Sequence, residues 1–145
     1  MPDVDVHAVA LAGLRRDQQR YTSSRRALVE LLLAADRPLT IPELLADQPG
    51  LAQSSAYRNL AVLEKAGVVR RIVTTDDHAR FELDEALTGH HHHLICLSCG
   101  SVEDFHMSPK GERALESALS AAVDATGFRA DHHRLDLVGT CADCA

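Results

Sequence analysis

The stretch His90-His91-His92-His93-Leu94-Ile95-Cys96-Leu97-Ser98-Cys99-Gly100 decides how the second half of this chain reads. It is an extended run entering a tight turn with two cysteines three positions apart. A second pair, Cys141-Ala142-Asp143-Cys144, lies near the C-terminus. Two such turns can close a tetrahedral four-sulfur site, the preferred geometry of structural zinc. The 41 residues between the pairs exceed the gap of a compact zinc ribbon, so the site must clamp the last segment back onto the first hairpin. Two disulfides or a redox CxxC are the competing readings; a cytoplasmic setting disfavours disulfides, and no thioredoxin-like surroundings are visible.

Alternate side chains of a strand leave on opposite faces, so His91 and His93 point one way and His90 and His92 the other. One run can therefore serve two sites, the competing readings being a tag or a solvated polar strand. Ser101 to His106 reads as a second strand, which brings Asp104 near His91 and His93 if the strands pair. Ser108-Pro109 opens a helix that is expected to bury Leu115, Ala118, Leu119 and Ala122 and to end at Gly127. His133 to Gly139 reads as a third strand, from which His133 can reach His90 and His92. Glu112 and Glu116 on the helix can complete that second set. His132, His106 and His7 read as surface residues. A unit of about 55 residues is too small to be comfortable alone and calls for a metal, a partner chain, or both.

Working back toward the N-terminus, the pattern turns helical. Ala27, Leu28, Leu31, Leu32 and Ala35 form an amphipathic stripe after a Thr22 or Ser23 cap. Thr40 with Pro42 opens a short helix to about Asp47, and Pro49-Gly50 is a turn. Ser54 or Gln53 starts a third helix through Tyr57, Leu60 and Leu63, closed by Gly67. Val68–Thr74 and Ala79–Leu83 are β-type runs joined at Thr75-Asp76-Asp77-His78. In the second run His78, Arg80 and Glu82 share one face, and Ala79, Phe81 and Leu83 the other. Three helices and a hairpin is the order of a winged helix-turn-helix, with a small α+β domain as the plainer alternative; the segment Ile41–Leu63 fits a helix that enters a major groove N-terminus first.

Of 145 residues, 46% are hydrophobic and 25% charged, a globular composition, and the net charge is −6. That charge is uneven. Residues 1–74 hold ten Arg/Lys against eight Asp/Glu, and residues 75–145 hold five against thirteen. Eight of the nine histidines and all four cysteines fall in the second part, so the two parts have different work. No apolar run approaches the ~20 residues of a membrane span, and Asp3 and Asp5 spoil a signal-peptide pattern. The expectation is a soluble, cytoplasmic protein with no membrane partner. No HExxH, HxE…PCxxC, GxSxG or phosphate-loop pattern appears, which argues against an enzyme.

Taken together, these pieces resemble the ferric uptake regulator family of bacterial metal-dependent repressors over residues 15–144. The carriers are Ser55-Ala56-Tyr57-Arg58, Ala66-Gly67-Val68-Val69, Arg80-Phe81-Glu82-Leu83, the run from His90 to Gly100, and Gly139-Thr140-Cys141-Ala142-Asp143-Cys144. Asp104-Phe105-His106, Thr126-Gly127-Phe128 and His132-His133-Arg134-Leu135 look like the peroxide-sensing branch. The resemblance implies a winged-helix DNA-binding domain (1–84) and a small α/β dimerisation domain with a four-cysteine zinc site (85–145). It implies a homodimer reading a palindromic operator in double-stranded DNA through Ser55, Tyr57, Arg58 and Arg20. It further implies structural zinc on Cys96, Cys99, Cys141 and Cys144. A regulatory hinge site would use Glu82, His91, His93 and Asp104; a second site would use His90, His92, His133 and Glu112, the last one residue off the family spacing.

Two departures bear on the metal. Iron- and peroxide-sensing members usually supply a histidine after the second helix, where this chain has Asp36-Arg37-Pro38-Leu39-Thr40. Zinc sensors often add a hinge cysteine, and every cysteine here belongs to the two pairs. His78, four residues before Glu82, is the candidate substitute, and the Glu82–His91 linker looks long. Mixed imidazole and carboxylate donors suit several divalent metals; the absent histidine ranks zinc ahead of iron or manganese. The expected function is a metal-responsive repressor of metal-homeostasis genes that senses zinc. The alternatives are an iron-, manganese- or peroxide-responsive regulator, a constitutive DNA-binding protein with structural zinc only, and a zinc-storage or metal-chaperone protein.

Overall fold

A computed structural model describes residues 4–74 and 76–145. Helices α1 (Val6–Arg16), α2 (Ser23–Ala34), α3 (Ile41–Ala46) and α4 (Gln53–Lys65) precede a wing of β2 (Val69–Ile72) and β3 (Arg80–Leu83). A two-residue strand, β1 (Leu39–Thr40), joins the wing in the order β1-β3-β2, all antiparallel. A short helix α5 (Glu85–Thr88) leads to β4 (His92–Cys96), β5 (Val102–Phe105), α6 (Pro109–Val123) and β6 (Asp136–Gly139). Here β4 is central, antiparallel to β5 and parallel to β6.

The expected local signals act as read. Thr22 caps α2 by accepting from Arg25 N–H. Thr40 and Glu43 form a reciprocal capping box on α3, with Pro42 in the first turn. Gly67 takes φ +75° to end α4, where a side chain would be strained. One expectation changes. The N-terminal domain has a further helix, α1, which buries Val6, Ala10 and Leu14 in the core. α4 starts at Gln53, as read, after Ala52, which provides no side-chain cap. The connection at 75–78 has Thr75 outside the described residues.

A single core joins all four N-terminal helices to the wing through Leu28, Leu44, Leu60, Leu63 and Phe81. The C-terminal half differs. No residue of α6 is buried, and Leu119, Phe128, Leu137 and Val138 stand open. The expected burial of Leu115, Ala118, Leu119 and Ala122 is therefore not met, because no layer among the described residues covers that side of the helix. Few apolar residues of this half are buried, chiefly Leu87, Ile95 and Val102.

Thr40→Ala removes the side-chain arm of the α3 capping box, leaving the backbone N–H of residue 40 on Glu43, and is expected to cost about 1 kcal/mol. It would be read as a lower urea midpoint at unchanged slope, with Thr40→Ser staying close to the parent.

Candidate metal centres and nucleic-acid face

Parallel pairing of β4 with β6 places Cys96 opposite Gly139 and so brings the two cysteine turns together. The four thiols are unbridged, and their sulfurs lie within 4.8 Å of one another. Cys99 Sγ and Cys141 Sγ are 3.8 Å apart, the edge of a tetrahedron with bonds of about 2.3 Å. Cys141 N–H donates to Cys96 Sγ at 3.3 Å. Backbone donors from Cys141 and Cys99 lower the Cys96 thiol to about 6, and the neighbouring sulfurs push Cys144 up to about 12. An arrangement that favours thiolate at one corner and resists it at another suits a shared cation.

The histidine run is buried rather than solvated: His91, His92 and His93 are 8%, 1% and 5% exposed. The regular strand starts only at His92, yet the alternation extends back through His90 and His91. On one face, His91 Nε2 and His93 Nε2 lie 2.8 and 3.1 Å from Glu82 Oε2. Asp104, paired with His93 across β4–β5, sits 3.8 and 3.6 Å from the same two nitrogens. Its Oδ1 is buried without a hydrogen-bond partner. Glu82 belongs to the wing and the imidazoles to the next domain, so this cluster spans the hinge.

The second nitrogen of each ring is fixed from behind. His91 Nδ1 faces the Gly89 carbonyl at 3.2 Å, and His93 Nδ1 faces Asp136 at 3.2 Å. Both partners only accept, so each Nδ1 carries the proton and each Nε2 is directed at the cluster. The hydrogen bond to Glu82 lifts the His91 imidazole to about 9, against the effect of burial. Burial pushes the Glu82 carboxyl up, but hydrogen bonds from His91, His93 and Arg70 outweigh it and hold it well below the usual carboxylate range. Burial raises Asp104. A divalent cation at this point would take the place of the proton between His91 and Glu82 and reach the Asp104 oxygen that has no hydrogen-bond partner, so the donor set fits one.

On the other face, His90, His92, Glu112 and His133 converge within 4.8 Å. His90 Nε2 and His133 Nε2 are 3.1 Å apart, and His90 Nδ1 bonds Glu85 at 2.9 Å. Glu112 bonds His92 Nε2 through Oε1, while its Oε2 is buried without a partner. Glu116, one helical turn on, is exposed and outside the cluster. His132 and His106 are exposed, as expected.

His78 does not join the hinge cluster, contrary to its expected role as substitute ligand. It is exposed in the turn, with its N–H on Asp76. Arg80 occupies the face between it and Glu82. The Arg80 guanidinium bonds Asp76 at 2.8 Å through each terminal nitrogen, holding that carboxyl far below its usual range, and donates to the Gly100 carbonyl at 2.6 Å. Gly100 has φ +76°, and a Cβ there would lie 2.7 Å from Asp76 Oδ2. Wing and cysteine turn therefore meet closely. Arg70, Glu85 and Asp136 belong to none of the sequence motifs, and Arg80 enters them only as a neighbour of Glu82; only cross-strand register flags Arg70 opposite Glu82 and Asp136 opposite His93.

On the winged-helix side, Tyr57 is 52% exposed, Arg58 is exposed and Ser55 is half-buried near the start of α4. Arg20 is exposed ahead of α2. Arg25, also not foreseen, donates to Asn59 of α4 at 3.0 Å and to the Arg20 carbonyl at 2.6 Å. It thereby sets the exposed face of α4 against the Arg20 segment.

A family model described as the ferric uptake regulator family matches residues 16–138. The peroxide-responsive repressor PerR of Staphylococcus saprophyticus is 31% identical over 139 residues, covering 93% of this chain and 88% of that protein. The peroxide operon regulator of Bacillus subtilis is 30% identical over 140 residues, covering 94% and 91%. Among solved structures, the Vibrio cholerae ferric uptake regulator superposes with a TM-score of 0.71 at 26% identity, covering 90% and 98%. The Helicobacter pylori ferric uptake regulator, described as having three functional metal-binding sites, reaches 0.78 at 22% identity, covering 99% and 97%, and bears on the fold alone.

Cys141→Ser opens the sulfur tetrahedron. Elemental analysis is expected to show one zinc fewer per chain, with a lower melting temperature, because metal binding and folding of this domain are linked. A variant with full zinc content and parental stability would remove the four-cysteine assignment.

Proposed function

Because the chain belongs to the ferric uptake regulator family, we propose that it is a metal-responsive DNA-binding repressor acting as a cytoplasmic homodimer on a palindromic operator. The observation that carries this reading is the hinge: a buried wing carboxylate, Glu82, meets two imidazoles of the next domain within 3.1 Å. When bound there, a divalent cation supplies a bond between domains that neither domain makes alone. Glu82 fixes the wing end of that bond; His91, His93 and Asp104 fix the other. The angle between domains sets the spacing of the two recognition helices in a dimer, and operator half-sites have fixed spacing. Differential affinity of the hinge groups for the cation in the closed arrangement then becomes operator affinity, with a coupling of ~1–3 kcal/mol.

The open apolar side chains Leu119, Phe128, Leu137 and Val138 of this half suit a second copy of the chain. The acidic C-terminal half is best turned away from phosphate, leaving Tyr57, Arg58, Ser55 and Arg20 to meet DNA. Zinc occupies the four cysteines. At the hinge, two imidazoles and two carboxylates without a further histidine suit zinc ahead of iron or manganese. Peroxide response is the second reading, favoured by the names of the 30–31% identical relatives. Loss of operator binding by the iron-loaded but not the zinc-loaded protein on peroxide treatment would select it.

Operator titration tests the switch. His91→Ala is expected to abolish the metal-dependent part of DNA binding while the four-cysteine zinc remains. His78→Ala is expected to behave as the parent. Arg58→Ala and Tyr57→Ala should each weaken binding by ~1–3 kcal/mol without loss of fold, and binding should fall with added salt. Tight operator binding by His91→Ala, unchanged by chelator, would make the protein a constitutive binder.

A further inference from the structure

We infer that Arg70 sets the metal preference of the hinge centre by withholding one Glu82 oxygen from it. This rests on the hinge cluster being a metal site. Arg70 lies directly opposite Glu82 in the β2–β3 ladder. Its Nε donates to Glu82 Oε1 at 3.0 Å, and its Nη2 donates to the same oxygen. Both imidazole nitrogens face the other oxygen, Oε2. The carboxylate is thus divided: one oxygen belongs to the guanidinium, one to the centre. Glu85, 3.8 Å from Arg70 Nη1, holds the guanidinium from its outer side. Arg70 and Glu82 side chains are 16% and 7% exposed, so water does not readily replace either.

The consequence is a coordination number. With Glu82 limited to Oε2, the four residues offer one oxygen, two nitrogens and the Asp104 carboxylate. Four residues giving one atom each is the tetrahedral set that zinc prefers. A two-oxygen Glu82 would extend the shell toward the larger, oxygen-richer coordination that suits manganese. The guanidinium also offsets one negative charge, which matters most to hard cations bound mainly by charge. Arg70 is therefore a positioning residue, acting through Glu82, and it does not touch the ion.

The test uses cobalt(II) as a spectroscopic probe in the full chain with its four-cysteine zinc retained. A His133→Ala background removes one imidazole from the second cluster. The parent is expected to give the intense visible bands of four-coordinate cobalt, and His91→Ala to lose them. Arg70→Met and Arg70→Gln are expected to weaken and shift these bands toward higher coordination. Both should also narrow the ratio of manganese to zinc dissociation constants at least tenfold. Arg70→Lys, which keeps a cation beside Oε1, should hold the parental spectrum, an outcome that loss of fold would not produce. Parental bands and parental discrimination in both neutral variants would overturn the inference while leaving the hinge site intact. Bands in the parent that survive His91→Ala would instead overturn the hinge reading, and this inference with it.

Discussion

Successive side chains leave an extended chain on opposite sides, and residues 90–93 turn that constraint into two separate centres on one segment. Everything around β4 follows from it. β5 brings Asp104 to the His91/His93 face, opposite His93 in register. β6, running parallel, places Asp136 behind His93 and Gly139 opposite Cys96, so the second cysteine turn meets the first. A one-residue slip of β4 would exchange the two histidine faces and part the cysteine turns at once. The three clusters are thus registered to one another by a single ladder.

The junction between domains is held by charges that have been taken out of water. A buried carboxylate is costly unless paired. Glu82 meets that requirement with Arg70 from its own wing and two imidazoles from the next domain. Some 20 residues of sequence separate Arg80 from its acceptor at Gly100, yet the guanidinium closes the same junction from the wing tip. The glycine is required there because its φ is positive and because a side chain would strike Asp76. The wing is therefore gripped at two points, one on the hinge centre and one on the cysteine turn. A change at either centre reaches the wing through groups a few ångströms away.

Much of this was legible in residues 22–72 and 90–144, where caps, a short helix with Pro42, and the spacing of His and Cys each have a local cause. The paired turns and the alternating histidines account for eight of the twelve residues in the three clusters, and the neighbouring strands and helix supply His133, Asp104 and Glu112; Glu82 and the hinge come through the family resemblance. What escaped was non-local. α1 carries no motif and declares itself only by burying Val6, Ala10 and Leu14 in the core it shares with α4. His78 stays outside the hinge cluster because same-face spacing in a strand does not allow for an intervening arginine, which here takes that space. Arg70 and Asp136 were invisible because cross-strand register is not written in either strand. The apolar stripe of α6 is real, but no described residue of this chain covers it.

The two kinds of centre differ in a way that bears on reversibility. Imidazoles and carboxylates can satisfy one another, as His91 and His93 do toward Glu82. Four thiols cannot: their mutual hydrogen bonds are weak and their thiolates repel. The cysteine set therefore depends on its cation for cohesion, in a domain with few buried apolar side chains of its own, and it belongs to the permanent structure. The hinge set loses less when it exchanges a cation for protons, so its free energy of binding can be small enough to follow a changing metal concentration. A repressor requires that difference. On the proposed function, the cysteine site would stay filled to hold the C-terminal half, and the hinge site would fill and empty near the metal concentration it reports.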